Sequence, residues 1–521
     1  MSRAQRLGLV PCLSFILVLI TSQTPSGSYA QTATRAAAGQ FSRSAWIARY
    51  ANRVRFSGGV LPSSQPAASL GRSTPAIESS SSMPHTGPAD AAMSSAVQVS
   101  MDLLPADSSA QAATHAEPYL DEDPSNSATL LGGWQENRFQ SGGARASGYG
   151  ASTDGGQTWS VGLIPNSTKA IGGQWERASD PWVAFGPNNR VYFANLLFNE
   201  SNPDSAVGVS ASTDGGRTWG DPVNVTFSTL AFSDKEAVVV DTFPSSAHFG
   251  TVYVAWDSNV AKVNSIKQLI LVARSTDGGA TYQDPVLVRK KGIGNIGVIP
   301  RVAPDGSVYL VWLAETGDGS TIFLLSKSED AGQTWSHPRA IADVTPRSEQ
   351  GIRDGAGLPS FTIDPVTGKL YVAWQDGRFG PADQATLIQS TDGGKTWSDP
   401  LLVSDGPTDA AAFTVSVAAS SNQVAVSYYS LQNDPDRRFL VDRYVRISTD
   451  GGSTFSPSIR ATPASFDVRL AAQAGPGVSF LGDYAGLASA GGAFHLLWIN
   501  SGILSTVTGK PQPEALTATA Q

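Results

Sequence analysis

The chain has 521 residues, a formal net charge of −8 and a single cysteine, Cys12. The negative charge, without a basic patch or a glycine-rich phosphate loop, argues against nucleic acid as a partner. Because Cys12 lies in an N-terminal segment that we expect to be removed, the mature chain excludes disulfides, cysteine nucleophiles and cysteine-bound metals.

The first thirty residues have the pattern of a secretory signal peptide. Arg3 and Arg6 supply the positive start, residues 7–20 form an apolar run, and Ser28 and Ala30 supply small side chains for cleavage. The apolar run is shorter than the roughly 20 residues that a membrane span requires. We therefore predict a secreted or periplasmic protein with no transmembrane segment once residues 1–30 have been removed.

Residues 31–100 consist mainly of Ala, Ser, Gly, Pro and Gln and contain few large apolar side chains. Such a composition cannot bury enough surface to offset chain entropy, so we predict a disordered linker. Residues 101–508 are expected to form one domain, and residues 509–521 a C-terminal tail. A domain of about 400 residues exceeds a usual single core, but a propeller reaches this size because each blade packs on its neighbours.

One motif, Ser-x-Asp-x-Gly-x-Thr-aromatic, occurs six times, and we name each copy an Asp box. The spacing between successive aspartates is 60, 63, 53, 62 and 58 residues. The six aspartates are Asp154, Asp214, Asp277, Asp330, Asp392 and Asp450. A short Asp side chain accepts hydrogen bonds from nearby backbone N–H groups, and glycine supplies the positive φ that a tight turn needs. We assign all six a structural role in hairpins, since six equivalent copies cannot all form one active site.

A second pattern lies between the boxes, where short strands of small and apolar residues end in an aromatic side chain. These aromatics are Trp134, Phe193, Trp256, Trp312, Trp374, Tyr428 and Trp498. Near-continuous apolar strands indicate sheets buried on both faces, as in stacked propeller blades. We predict an all-β propeller, and seven such strands against six boxes favour seven blades over six. Strands within 97–103 and 503–508 would complete the last blade and remove exposed sheet edges.

The boxes and apolar strands over residues 115–505 resemble the sialidase (neuraminidase) superfamily. More narrowly, they are similar to bacterial secreted proteins with Asp-box, or BNR, repeats. The resemblance implies a sialidase-like β-propeller and an exo-glycosidase that acts on acidic, sialylated glycans. The Asp box is also found in propellers without enzymatic activity, so the motif indicates a fold and leaves the function to the site.

In this superfamily an arginine triad binds the sugar carboxylate, a tyrosine with a glutamate partner is the nucleophile, and an aspartate is the acid. Residues 480–487 are similar to the stretch that holds the tyrosine, so the resemblance implies Tyr484 as the nucleophile. Glu136 and Arg138 are similar to the Glu-x-Arg that precedes the first box.

The sequence departs from the family pattern at three places. No arginine stands at residues 116–118, where the first of the triad would fall, and Ser141-Gly142-Gly143 replaces the expected acid. No carboxylate stands at 296–298, where the glutamate partner of the tyrosine would fall. These positions weaken the match to the standard mechanism without affecting the fold.

Charged residues open several of the predicted blades, and we expect them to meet at one end of the channel. The predicted catalytic residues are Tyr484, Asp180 and Glu236, and the predicted substrate-binding residues are Arg177, Arg353 and Arg301. The alternative is that these charges pair with one another along a solvated channel, since unpaired buried charges are costly. Five histidines without ligand spacing predict no metal, and no cofactor is expected.

Three functions therefore compete. The first is a sialidase-like glycoside hydrolase, expected as a monomer with a glycan or polysaccharide substrate. The second is a non-catalytic propeller that binds a glycan or protein at the cell surface. The third is another hydrolase or lyase that uses the same channel with Asp180, Glu236 and Asp354 as its acids.

Overall fold

The structure, a computed structural model, describes residues 93–261, 266–289, 293–347, 349–355, 357–489, 491–505 and 507–521. The predicted signal peptide and residues 31–92 of the predicted linker lie outside these ranges. Strands dominate the described residues, and the helical segments among them are three short 3-10 turns, Lys169–Ile171, Gly377–Phe379 and Val468–Leu470. No helix within these ranges combines the length and the apolar character needed to cross a membrane.

The strands are numbered here in chain order. The first ten are β1 (Val97–Gln98), β2 (His115–Glu122), β3 (Leu130–Arg138), β4 (Ala144–Ser152), β5 (Ser160–Leu163), β6 (Arg177–Phe185), β7 (Val191–Phe198), β8 (Ser205–Ser212), β9 (Val223–Ser228) and β10 (Ala231–Val240). The next eleven are β11 (Val252–Ala261), β12 (Ile266–Ser275), β13 (Val286–Arg289), β14 (Ile293–Val302), β15 (Val308–Glu315), β16 (Thr321–Ser328), β17 (Arg339–Val344), β18 (Ile352–Arg353), β19 (Ser360–Ile363), β20 (Leu370–Asp376) and β21 (Gln384–Ser390). The last eleven are β22 (Leu401–Leu402), β23 (Ala412–Ser420), β24 (Gln423–Ser430), β25 (Leu440–Ser448), β26 (Ile459–Arg460), β27 (Phe466–Asp467), β28 (Ala472–Gln473), β29 (Ser479–Phe480), β30 (Gly486–Ala488), β31 (Phe494–Leu504) and β32 (Pro511–Ala520).

Most strands belong to antiparallel units of four, in which strands that are consecutive in the chain pair with one another, except that β1 pairs with β32. Within the described ranges the units are β2–β5, β6–β9, β10–β13, β14–β17, β19–β22, β23–β26 and β30–β31–β32–β1. Three short strands, β18, β28 and β29, form a separate small sheet. The predicted all-β propeller is confirmed, while the preference for seven blades over six stays a prediction.

The last unit joins the two ends of the described chain. β1 pairs with β32 through Val97 opposite Thr517 and Gln98 opposite Leu516. Residues 509–521 are therefore not a tail, because β32 pairs with β31 along most of its length. Residues 503 and 504 belong to β31 and supply no third strand, and the predicted strand at 97–103 is limited to Val97–Gln98.

The apolar second strands supply the core of the units. The fully buried tryptophans of these strands are Trp134, Trp256, Trp312, Trp374 and Trp498. A tryptophan buries about 150–250 Å² of surface, so one at the same place in five units fills the space between neighbouring sheets. The position of the aromatic at the end of each apolar run is thus explained by packing.

Each Asp box forms the same hydrogen-bonded turn between the third and fourth strands of its unit. In the second box, Asp214 accepts hydrogen bonds from the backbone N–H of Thr218 at 2.9 Å and from its hydroxyl at 2.6 Å. Ser212 donates its hydroxyl to Asp214 at 2.7 Å and accepts the Gly216 N–H at 3.0 Å. Gly216 has a φ of 87°, which lets the chain turn back into the next strand. The other five boxes repeat this set.

We expect the boxes to make the fold sensitive to acid. Hydrogen bonds from the hydroxyl and backbone of Thr158 lower the pKa of Asp154 to about 2. A carboxylate with a lowered folded pKa stabilises the protein above its unfolded pKa of about 4, and this contribution is lost as the pH falls towards 2. Asp154→Asn should therefore lower the urea midpoint at pH 7 and differ little from the wild type near pH 2. Asp399→Asn, at an exposed site, is the control, and an equal loss at both pH values would contradict the role of the charge.

Candidate functional site

A β-bulge recurs on the first strand of five units. Each bulge places two residues between paired positions, and the first of the two has a positive φ. These first residues are Glu117 (52°), Asp180 (50°), Lys235 (47°), Gly297 (70°) and Thr414 (48°). A bulge changes the direction of a side chain, and positive φ is uncommon outside glycine. The recurrence of both features therefore marks an equivalent position on the first strands, at the centre of the fold.

Three of the bulges, together with the segment before β30, bring one lysine against three carboxylates. Lys235 Nζ lies 3.0 Å from Glu117 Oε1, 2.7 Å from Asp180 Oδ1 and 3.0 Å from Asp483 Oδ2. All four side chains are buried. We call these residues the Lys235 cluster. The alternative expected from the sequence was that the blade-opening charges pair with one another. The Lys235 cluster has this arrangement, because one lysine contacts carboxylates from three parts of the chain.

Arg353 extends the cluster through Asp483. Arg353 Nη2 lies 2.6 Å from Asp483 Oδ2, and Nε donates to Oδ1 at 3.2 Å, so the pair is bidentate. The Phe480 ring lies 4.6 Å from the Arg353 guanidinium, and the parallel pairing of β18 with β29 places the two residues side by side. Burial alone would raise the pKa of Asp483, but Arg353 and Lys235 outweigh it and lower the pKa to about 2.

The pKa of Glu117 is shifted in the opposite direction from that of Asp483. Burial, followed by the charge of Asp180, raises the pKa of Glu117 to about 8 although Lys235 acts against the rise. Gln135 donates its amide to Glu117, and it also donates to Ser179 at 3.0 Å. Two carboxyl groups on one lysine thus differ in acid strength.

Tyr484 lies beside the cluster in an aromatic wall. The centre of its ring is 5.3 Å from that of Trp182 and 4.8 Å from Lys235 Nζ. Its hydroxyl donates to the Pro181 carbonyl at 3.0 Å. Burial and the nearby carboxylates, of which Glu117 contributes most, raise the pKa of Tyr484 well above its usual range. The phenol is therefore a neutral hydrogen-bond donor, and among the described residues no carboxylate accepts its proton.

A cavity opens beside these residues and is lined by the first strand of every unit. Its lining includes Tyr119, Trp182, Glu236, Arg301, Ser360, Thr414 and Leu487 from β2, β6, β10, β14, β19, β23 and β30 respectively. Asp354, Asp483 and Tyr484 line it as well. Aromatic walls with a few convergent polar groups are typical of small-molecule sites.

Glu236 is the second residue of the β10 bulge and has no partner for its charge. It is 1% exposed, and neither carboxylate oxygen accepts a hydrogen bond from another described residue. Burial, followed by the charge of Asp180, raises its pKa well above the usual range. Glu236 is therefore a weaker acid than an exposed glutamate, and it lies at the wall of the cavity.

The three predicted substrate-binding arginines have different surroundings. Arg301 lines the cavity and donates to the Tyr119 hydroxyl at 2.9 Å. Arg353 is not part of the cavity lining, but it forms an ion pair with Asp483, which is. Arg177 lies elsewhere, since it donates to Ser141 Oγ at 2.8 Å and to the Gly142 carbonyl, and neither residue lines the cavity. The structure thus brings Arg301 and Arg353 to the centre and leaves Arg177 at the turn that replaces the expected acid.

Three other residues that the sequence singled out lie at different places relative to the cavity. Asp354 lines the cavity and accepts a hydrogen bond from Gln375 at 2.9 Å. The Arg138 guanidinium lies 4.4 Å from the centre of the Phe480 ring, which the Arg353 guanidinium also contacts. Glu136 belongs to a separate buried group around His115.

The sequence alone assigned no role to Glu117, Lys235 or Asp483. One signal was available, because Glu117-Pro118 and Asp180-Pro181 repeat a carboxylate followed by proline early in a predicted blade. In the structure both pairs are the bulge residues. At the place where the first arginine of the family pattern would fall, the chain therefore carries an acid that faces a lysine.

One group among the described residues has the spacing of a metal site. Side-chain atoms of Asp102, His115 and Glu514 lie within 4.8 Å of one another. Both ring nitrogens of His115 are already engaged, Nδ1 with the Pro513 carbonyl at 2.8 Å and Nε2 with Glu136 at 2.8 Å. The donors fit a hydrogen-bonded histidine better than a metal ligand set, and the group does not line the cavity.

The fold and the central cavity define a sialidase-like β-propeller. No family model matches the chain. A stretch of 138 residues, 26% of the chain, is 30% identical to a sialidase of Micromonospora viridifaciens and spans 19% of the length of that protein. This match confirms the resemblance to the sialidase superfamily that the repeat predicts.

Solved structures with a similar arrangement include three proteins of low sequence identity. A Hadza microbial sialidase shares 15% identity, with 72% of this chain and 74% of that one covered and a TM-score of 0.44. The GH93 alpha-L-arabinofuranosidase of Fusarium graminearum shares 17% identity, with coverage of 64% and 92% and a TM-score of 0.44. A Dyadobacter fermentans protein of unknown function shares 19%, with coverage of 66% and 94% and a TM-score of 0.45.

Proposed function

We propose that the protein is a secreted glycoside hydrolase that acts on a glycan in the central cavity, with Glu236 as its general acid. The observation that carries the proposal is the buried, unpartnered carboxyl group of Glu236 in the lining of an aromatic-walled cavity. Glycoside hydrolysis needs one carboxyl group that holds a proton and a second that is ionised, and their environments push their pKa values apart.

The Lys235 cluster would supply the ionised partner. Asp483 lines the same cavity as Glu236, and its pKa is lowered to about 2. In the reaction, Glu236 would protonate the glycosidic oxygen as its bond to the anomeric carbon breaks, while Asp483 stabilises the positive charge that develops on the sugar ring. Water would then add to the anomeric carbon and return a proton to Glu236. Asp180 would act by holding Lys235, and Tyr484 with Trp182 would form the aromatic wall on which the sugar rests.

The resemblance implies a different role for Tyr484, that of the nucleophile on a sialylated substrate. A phenol attacks only when a neighbouring base takes its proton, and the hydroxyl of Tyr484 instead donates to the Pro181 carbonyl. The geometry therefore supports carboxyl-group chemistry at Glu236 better than attack by Tyr484. Hydrolysis of a sialoside remains a separate arm of the test.

Replacement of the acid should slow turnover strongly and preserve the fold. We expect Glu236→Gln to lower kcat by about 10²–10⁴-fold, since general acid catalysis contributes an effect of this size. A panel of fluorogenic glycosides, including a sialoside and an arabinofuranoside, measures the loss. Glu329→Gln, an exposed carboxylate outside the cavity, is the control and should be fully active. Equal activity of wild type and Glu236→Gln would contradict the assignment.

A second function, non-catalytic glycan binding, is favoured by one observation. The charges of the Lys235 cluster and Arg353 already satisfy one another, so they could serve as the structural hub of the propeller. Glycan-array binding by the wild type without turnover of any substrate on the panel would support this function and exclude the hydrolase.

A further inference from the structure

We propose that residues 41–56 of the same chain close one end of the channel, with Trp46 and Ile47 inserted into a second cavity. This site is separate from the central cavity and does not depend on whether the protein hydrolyses a glycan. Three observations support it: the lining of the second cavity, the place where the described chain begins, and the composition of residues 41–56.

The second cavity, of about 420 Å³, lies at the end of the channel where the first strands finish. Its lining includes the last residue of the first strand of every unit, from Glu122 of β2 to Ala488 of β30. Tyr119, Trp182 and Arg301 line both cavities, and the ring centres of Tyr119 and Trp182 are 3.6 Å apart. These three side chains therefore lie where the two cavities meet.

The lining of the second cavity is mainly apolar, and its rim leaves apolar side chains in contact with water. Val240, Val302 and Ile363 lie in the wall, while Phe243 is half-buried and Val366 is 68% exposed. Covering such side chains removes apolar surface from water, which is favourable. The volume lies in the range of cavities that hold ligand-sized groups, so a few large side chains fit it.

The described chain begins at the same end of the propeller. Met93 pairs with Ala520 at the end of β32, and β31 connects this level of the sheet to Ala488 at the end of β30. Residue 93 is therefore about three strand spacings, or about 14 Å, from the rim of the cavity. A flexible chain of the length of residues 57–92 spans roughly 33 Å, so residues 41–56 are within reach of the rim.

Residues 41–56 lie outside the described ranges, and their sequence suits this site. They contain all four aromatic side chains of residues 31–92, so the large apolar groups of the N-terminal region are concentrated here. They also contain four arginines and no acidic residue, whereas the chain as a whole has a net charge of −8. The opposite signs favour association of this segment with the rest of the protein, and its aromatic side chains match the apolar lining.

Tryptic cleavage of the mature chain, residues 31–521, under native conditions tests the proposal. Arg49 and Arg53 lie inside the segment, and Arg35 and Arg72 flank it. We expect cleavage after the two inner arginines to be roughly 10-fold or more slower than after the two flanking ones, since cleavage follows the population of the released segment. Equal rates at all four arginines would overturn the proposal.

A variant of the segment separates insertion from other causes of protection and leaves the propeller unchanged. Trp46→Ser with Ile47→Ser should make cleavage after Arg49 as fast as in the flanking sequence, because the apolar side chains that enter the cavity are gone. The matched control, Val60→Ser with Leu61→Ser, should keep the wild-type protection. Protection that persists without Trp46 and Ile47 would overturn the proposal. Protection that increases with protein concentration would also overturn it, because the occupant would then be a second copy of the chain.

A pair of introduced cysteines locates the segment, because the mature chain has no cysteine of its own. Ser421 is exposed on the rim of the second cavity, and Ser320 is exposed on the turn between β15 and β16, at the opposite end of the propeller. We expect a short bismaleimide to link Ser44→Cys to Ser421→Cys within one chain roughly 10-fold or more faster than Ser44→Cys to Ser320→Cys, since proximity raises the effective concentration. Equal linking to both sites, or faster linking to the Ser320 site, would overturn the placement at this cavity.

Discussion

Lys235→Met is expected to destabilise the protein by about 3–5 kcal/mol, the cost of leaving buried charges without their partner. The ammonium group of Lys235 lies within 3.0 Å of carboxylates from β2, β6 and the segment before β30. Without it, Asp483 keeps Arg353, but Glu117 and Asp180 have no other ion-pair partner among the described residues. The free energy of unfolding from urea denaturation at pH 7 measures the loss.

A surface lysine provides the matched control. Lys327 pairs with Glu329 at 2.7 Å on the outside of β16, where an exposed pair contributes less than about 1 kcal/mol. Lys327→Met should therefore change stability far less than Lys235→Met. Adding Asp180→Asn to Lys235→Met should restore part of the loss, because one of the unpaired charges is removed. A loss below about 1 kcal/mol in Lys235→Met would show that the cluster does not hold the centre together.

The sequence predicted the periphery of the fold better than its centre. The Asp boxes and the aromatic ends of the second strands are local patterns, in which each residue contacts others a few positions away, as Asp214 does with Thr218. Six copies of a local pattern can be recognised without knowledge of the fold. The strand Pro511–Ala520 carries no such pattern, because three of its seven buried residues are Ala and the other four are Pro, Glu, Leu and Thr. Its pairing with β31 defines it.

The centre depends on contacts between residues distant in the chain. Lys235 and Glu117 are 118 positions apart, and they meet because bulges at equivalent places in β2 and β10 turn both side chains inward. A one-residue change of register would reverse the direction of these side chains, and register cannot be inferred from composition. Arg177 shows why the residues of the site could not all be predicted. Like Glu117 and Lys235, it lies on the first strand of its unit. It precedes the bulge of that strand, however, and its side chain donates to Ser141.

His115 is expected to make the closure of the chain ends sensitive to alkali. The residue is fully buried on β2, with Nε2 2.8 Å from Glu136 on β3 and Nδ1 3.1 Å from Glu514 on β32. Burial alone would lower the pKa of His115, but Glu136 and Glu514 outweigh it and raise the pKa well above 6.5. The imidazolium therefore links the first unit to the strand that closes the last one, and Asp102 lies close to the same group.

The sign of the effect follows from the raised pKa. A histidine whose folded pKa exceeds its unfolded value stabilises the protein fully below about pH 6.5, and this contribution is lost as the pH rises through the folded pKa. We expect urea midpoints of the wild type to fall between about pH 7 and pH 9.5 by more than those of His115→Phe. At pH 6 the variant should be about 3–5 kcal/mol less stable, because Glu136 and Glu514 lose their buried cation.

Two further variants separate this cause from other titrations. His337→Gln removes an exposed histidine and should retain the wild-type dependence on pH. Glu514→Gln keeps β32 intact and removes one of the two charges that raise the pKa of His115, so its alkaline loss should be smaller and should be complete at a lower pH than in the wild type. Parallel pH curves for the wild type and His115→Phe would show that the histidine is neutral when folded. The strand would then depend on its ladder with β31 and on the Ser100 hydroxyl, which donates to Glu514 at 2.5 Å and accepts the Ala515 N–H at 2.7 Å.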